Sequence, residues 1–181
     1  MSQSGVDVQI NFARELQNAS AAIQATPEQL TKAGQRAIKK TMRWVKIRIA
    51  RELSQVLGVS QKALKPRFSL KTVGKGADAA TILFLGTDNL GAEKSGNART
   101  TKHGVTVGKR KYESAFYTPV SSGNKYIFKR KTKARLPIEK QVIEVGDPAA
   151  EVFKRFEARI PAEFSKILAQ ELNYVVNHER S

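Results

Sequence analysis

Residues 134–164 read ARLPIEKQVIEVGDPAAEVFKRFEARIPAEF, and this stretch decides the fold because it reads as a strand, a turn and a long helix. The residue before a proline avoids the α region, so Arg135-Leu136-Pro137-Ile138 is extended. Residues 139–145 are expected as one strand, with Lys140, Val142 and Glu144 on one face and Gln141, Ile143 and Val145 on the other. Gly146 ends it. Asp147 is expected to cap the helix that follows, with Pro148 in its first position.

That helix carries apolar residues at Val152, Phe153, Phe156, Ile160, Phe164, Ile167, Leu168, Leu172, Val175 and Val176. The spacing of three and four defines a single helical face, and the face reads as core. Pro161 has no N–H to reach back to Glu157, which predicts a kink or restart near Ile160.

Thr26-Pro27-Glu28-Gln29 is a second helix start, with Thr26 as cap, Pro27 in the first turn and Gln29 as capping-box partner. The helix is expected to run to about residue 57 and to close at Gly58. Its apolar stripe is Leu30, Ala33, Ala37, Ile38, Met42, Val45, Ile49, Leu53 and Val56. Lys32, Arg36, Lys39, Lys40, Arg43 and Lys46 lie off the stripe with no acid among them, so their repulsion must be offset by packing or by an anionic partner. Trp44 is expected at the flank of the core or in a subunit contact.

Strands are expected at residues 67–71, 79–85, 115–120 and 125–130, the last two forming a hairpin around Ser121-Ser122-Gly123-Asn124. Tyr126 and Phe128 share one face of that hairpin, and Ile127 and Lys129 share the other. Aromatics interleaved with Lys and Arg suit nucleic-acid binding; they equally suit a half-buried strand with one wet face. Residues 60–64 read as a short helix and Gly74-Lys75-Gly76 as a turn. Residues 92–103 are polar, with few apolar side chains, and the reading there is a long loop, the least ordered part of the domain, with a short strand at 105–107. The expected organisation is a single domain over 1–181, with an N-terminal arm at 1–25 and an extended loop at 87–108. The fold class is α+β: a mostly antiparallel sheet packed against two long amphipathic helices, with a long polar loop.

The chain of 181 residues carries 32 basic and 16 acidic residues, a net charge of +16. Residues 31–76 hold 13 basic and 1 acidic residue, and residues 109–135 hold 9 and 1. Such blocks meet phosphate or an acidic protein surface. The expected contact residues are Lys129, Arg130, Lys131, Lys133 and Arg135, joined by Lys39, Lys40 and Arg43. With no cysteine and two histidines, His103 and His178, disulfides, thiol catalysis and zinc ribbons are excluded, and nothing is spaced for a metal site. Gly74-Lys75-Gly76 lacks the spacing of a phosphate-binding loop. No cofactor, membrane span or signal peptide is expected, and neither is an enzyme.

The order of these elements resembles the minor tail protein Z family of long-tailed bacteriophages. The likeness lies in Ala115-Phe116, Lys125–Arg130, Arg135-Leu136-Pro137-Ile138, Val142–Val145, the step Arg159-Ile160-Pro161-Ala162-Glu163 and the tail Leu172–Val176. It extends more weakly to the helix at 31–57 and to residues 61–71. The segment 86–108 departs from the family pattern. The resemblance implies a structural virion component at the head-proximal end of the tail, similar to tail-completion and tail-terminator proteins. It further implies a homo-oligomeric ring, a hexamer, touching tail-tube and neck or connector proteins and the genomic DNA in the channel. Residues alone leave a rival open, a soluble basic protein whose two blocks wrap nucleic-acid phosphates.

Overall fold

The computed structural model describes residues 4–10, 25–73 and 80–179. Its longest element is α1 (Pro27–Leu57), and the predicted capping box is formed. Gln29 N donates to Thr26 Oγ1 at 3.3 Å and Thr26 N donates to Gln29 Oε1 at 3.0 Å, satisfying two N–H groups that would otherwise have no partner. Gly58 ends the helix in the left-handed conformation, φ +57°, where a side chain would be disfavoured. Ser60 caps the short α2 (Gln61–Leu64), and Pro66 lies in the single 3-10 turn that follows.

Three strands form the first sheet, β1 (Gly5–Ile10), β2 (Phe68–Val73) and β3 (Ala80–Gly86), in the antiparallel order β1-β3-β2. Leu83 and Leu85 of β3 are fully buried beneath the helices, whereas β2 is an edge whose Leu70 and Val73 stay exposed. The helical layer is completed by α3 (Gly146–Glu157) and α4 (Ile160–His178). The restart expected at Ile160 is present: Pro161 falls in the first turn of α4, where its missing N–H removes no helical bond. Nine of the ten predicted core positions on this pair are buried; Val176 is the partly exposed one. Asp147 differs from expectation. The helix begins two residues earlier, at Gly146, without a side-chain cap, and Asp147 lies in its first turn, where a carboxylate still favours the helix dipole.

α4 runs antiparallel to α1, since Lys40 meets Glu171 and Arg36 meets Glu179 at 2.6 Å, and α3 is tied to α1 by Arg155, which meets Glu52 at 2.8 Å. Small buried residues of α1 (Ala33, Gly34, Ala37 and Thr41) lie along the half that carries the Lys40 and Arg36 pairs. Trp44 flanks this core, edge-on to Phe156 at 6.1 Å.

The middle of the chain builds a second body. The segment 87–108, expected as an extended loop, contains β4 (Leu90–Gly91), a 3-10 turn at Ala92–Ser95, β5 (Ala98–Thr101) and β6 (Gly104–Val107). Together with β7 (Arg110–Glu113) the last two form an antiparallel meander, so the polar residues at 98–101 are ordered by backbone pairing rather than by burial. A further sheet contains β8 (Ala115–Pro119), β9 (Lys125–Arg130) and β10 (Ile138–Lys140), in the order β10-β9-β8. Ala92, Val105, Val107, Ala115 and Ile127 form a separate small core between these strands.

Residues 139–145 are not one strand. After β10 the chain passes Gln141 and enters β11 (Val142–Ile143), which pairs with β4. Gln141 N donates to Ile127 O at 2.8 Å and Ala92 N donates to Gln141 O at 3.0 Å, so this residue joins two sheets through its backbone. Ile143 and Val145 then belong to the main core. Arg110 ties the two bodies together by donating to Leu57 O at the end of α1, at 3.2 Å. The expected turn at Gly74-Lys75-Gly76, and most of the expected arm at 1–25, lie outside the described residues.

Candidate interaction surface

The β8–β9–β10 sheet has one packed face and one open face. Directly paired residues of antiparallel strands point to the same side. The register therefore places Ala115, Tyr117, Ile127, Lys129 and Glu139 on one side, where Ala115 and Ile127 seal the small core. Phe116, Thr118, Tyr126, Phe128, Arg130, Ile138 and Lys140 fall on the other.

On this open side the three rings are half-buried and touch one another. Phe116 and Phe128 have centroids 6.1 Å apart, and Tyr126 stands edge-on to Phe128 at 6.4 Å. A cation sits over each end of the row. The Arg130 guanidinium lies 5.2 Å from the Phe116 centroid and the Lys140 ammonium 3.7 Å from that of Tyr126, within the range of cation–π attraction. Residues 131–140 are all exposed.

The expected contact residues do not all belong to this face. Arg130 does. Lys129 points to the opposite side, facing Glu139 across the strands, and Lys131 pairs loosely with Glu139 at 3.8 Å. Lys133 and Arg135 lie in the exposed turn between β9 and β10. Sequence reasoning missed Phe116 and Lys140. The hairpin signal around Gly123 was the available clue for Phe116, since a correct register puts it beside Phe128. Lys140 needed the pairing of β10 with β9, which no local pattern reveals.

The α1 basic residues form a separate group. Lys40 donates to Glu171 on α4 and is thus part of the helix packing, whereas Lys39 and Arg43 are exposed and have no ion pair among the described residues. Lys32 and Arg36 converge on Glu179. The hydrogen bond from Lys32, followed by that from Arg36, holds the Glu179 carboxyl below the ordinary glutamate value. Arg48 and Arg159 lie over Trp44 at 5.5 and 5.8 Å.

Among the described residues no group of three or more His, Asp or Glu side chains could hold a metal ion, and no helix is long and apolar enough to cross a membrane. The depressions beside Glu151, Lys154 and Arg155 and beside Pro27 and Thr31 are open surface features. What remains is an α+β protein with open sheet edges and extended cationic surfaces, a form suited to contacts between macromolecules. The chain belongs to the prophage minor tail protein Z (GPZ) family, whose model matches residues 16–180. It is therefore a phage tail protein and a component of the virion. No curated protein and no solved structure matches it.

Proposed function

We propose that this chain is a tail-completion or tail-terminator protein, a neck component that forms a homo-oligomeric ring, a hexamer, at the head-proximal end of the tail and helps join tail to head. Family membership over residues 16–180 is the observation that carries the reading. Edges at β1, β2 and β10 that are unpaired among the described residues support it, because unpaired strand edges are expected to be covered in an assembly. The cationic turn holding Lys131, Lys133 and Arg135 supports it as well, as a surface for acidic neighbouring rings or for DNA in the channel. Partners would be further copies of the chain, tail-tube subunits and neck or connector proteins. The role is structural rather than enzymatic, and the protein would be made in the host cytoplasm before it joins the particle.

The test is co-assembly with purified tail tubes, read by electron microscopy, alongside a triple substitution Lys129→Gln, Arg130→Gln and Lys131→Gln. The parent chain is expected to cap one end of the tubes as a ring, and the variant to remain folded but yield tails that do not join heads. A chain that stays off tail tubes, or a variant whose tails join heads normally, overturns the reading.

One observation favours the rival, a nucleic-acid-binding protein: the aromatic row flanked by cations on β8 and β9. A monomer that binds nucleic acid at submicromolar concentration with steep salt dependence and does not assemble on tail tubes would establish it.

A further inference from the structure

We infer that the open face of the β8–β9–β10 sheet is a binding site for single-stranded nucleic acid, in which unpaired bases stack on Phe116, Tyr126 and Phe128 while neighbouring cations hold the phosphates. This deepens the tail reading by naming a ligand for one of its surfaces, and it depends on that reading only for its setting.

Three observations support it together. First, the rings occupy the face of the sheet turned away from the small core. Ala115 and Ile127, 7% and 0% exposed, show that the other face is the packed one. Second, the rings are contiguous at 6.1 and 6.4 Å and form a platform across adjacent strands. Successive unpaired bases lie on such platforms. Third, the face and its rim are cationic. Arg130 and Lys140 lie on the face and Lys131, Lys133 and Arg135 in the adjoining turn, whereas Glu139, the single acid of residues 125–140, falls on the packed side with Lys125 and Lys129. Arg130 and Lys140 already lie against the ring faces, and a guanidinium or ammonium in that position has remaining donors for phosphate oxygens.

The chemistry selects among polyanions. An acidic protein surface would be recognised by Lys131, Lys133 and Arg135 alone and has no use for three adjacent aromatic rings. A duplex keeps its base faces stacked inside, so the platform would contribute little to binding it. Unpaired bases use both parts of the site, through π-faces for the rings and phosphates for the cations.

The experiment is fluorescence anisotropy with the purified full chain and three probes: oligo(dT) of about 15 nucleotides, which covers the site sizes typical of such platforms, a duplex of equal length, and a poly-glutamate peptide. Each is titrated at two salt concentrations. Oligo(dT) is expected to bind at least tenfold more tightly than the duplex. Tyr126→Leu and Phe128→Leu, which retain apolar bulk, are each expected to weaken oligo(dT) binding roughly tenfold. Circular dichroism and the fluorescence of Trp44, the single tryptophan, check that the variants remain folded. Lys140→Gln with Arg130→Gln is expected to flatten the salt dependence.

Equal affinity for oligo(dT) and duplex overturns the inference, as does leucine variants binding like the parent. Preferential binding of poly-glutamate overturns it in favour of an acidic protein partner. Because these readouts use the isolated chain, failure to form rings on tail tubes would not count against the site. Failure to bind oligo(dT) would likewise leave the ring reading standing.

Discussion

Lys40 on α1 donates to the Glu171 carboxylate on α4, and the residue it reaches is only 6% exposed although Lys40 itself is mostly in solvent. A basic residue that sequence alone assigns to a partner surface is thus one half of an internal ion pair. Burying a carboxylate is unfavourable without such a donor. Lys40→Ala is therefore expected to lower stability by about 1–3 kcal/mol. Lys39→Ala, on the adjacent exposed position, is expected to change it by less than about 0.5 kcal/mol. Denaturant unfolding followed by Trp44 fluorescence separates the two, and equal effects would contradict the pairing.

A second tether between the same helices is expected to respond to pH. Hydrogen bonds from Lys32 and Arg36 lower the folded-state value of Glu179. For a carboxyl with a depressed folded value, the stabilisation is present above the unfolded value, near ~4.3 for glutamate, and is lost as pH falls through the folded value. Amide exchange in the last turn of α4 should therefore accelerate as pH drops below that range, after correction for intrinsic exchange. The paired variant Lys32→Met and Arg36→Met should show fast exchange already at neutral pH. Because the pair is at the surface, added salt should weaken the effect.

Gly104 opens β6 at φ +145°, where a Cβ would sit 2.1 Å from Tyr112 O and 3.0 Å from Ser114 N. Both obstacles are backbone, so relief requires moving β7 itself. Gly104→Ala is expected to destabilise by more than about 2 kcal/mol. Gly123→Ala, at φ +77° with nothing within 4 Å, is expected to cost about 1 kcal/mol from its backbone conformation alone. Thermal unfolding of the two variants provides the comparison, and similar shifts would mean that the meander gives way easily.

The parts of this fold that were legible in the sequence are those fixed by local chemistry. Thr26 and Gln29 specify the start of α1, Gly58 its end, and Pro161 the restart of α4, each through hydrogen bonds within a few residues. Positions that depend on distant pairing were not legible. Ala98–Thr101 is a strand only because β6 pairs with it, and its exposed, polar side chains leave no alternation to detect. The face of Tyr126 and Phe128 was readable from their spacing. Lys129 and Arg130, by contrast, read as one cationic patch although successive strand residues point to opposite sides, and their separation became functional only once β10 brought Glu139 against Lys129. Asp147 reads as a cap because Asp-Pro starts many helices, yet the preceding Gly146 already adopts the helical conformation and displaces the start by two residues.

Gln141 offers the sharpest test of how the start of β11, which leads into the main core at Ile143, is fastened to the small core, since Ile127 and Ala92 both belong to that core. Its N–H donates to Ile127 O and its carbonyl accepts from Ala92 N, whereas its side chain makes a single long contact, donating to Glu139 O at 3.4 Å. The link is therefore a property of the backbone. Gln141→Ala should leave stability within about 0.5 kcal/mol of the parent. Gln141→Pro deletes the donor and should cost about 1–3 kcal/mol, the penalty for a buried acceptor left without its partner. If Gln141 anchors β11 to the small core, amides of β8 and β9 in the proline variant should exchange faster than those of β3, whereas the parent should protect both. Equal loss of protection across β3 and β9 would mean that the small core and the main core unfold as one unit.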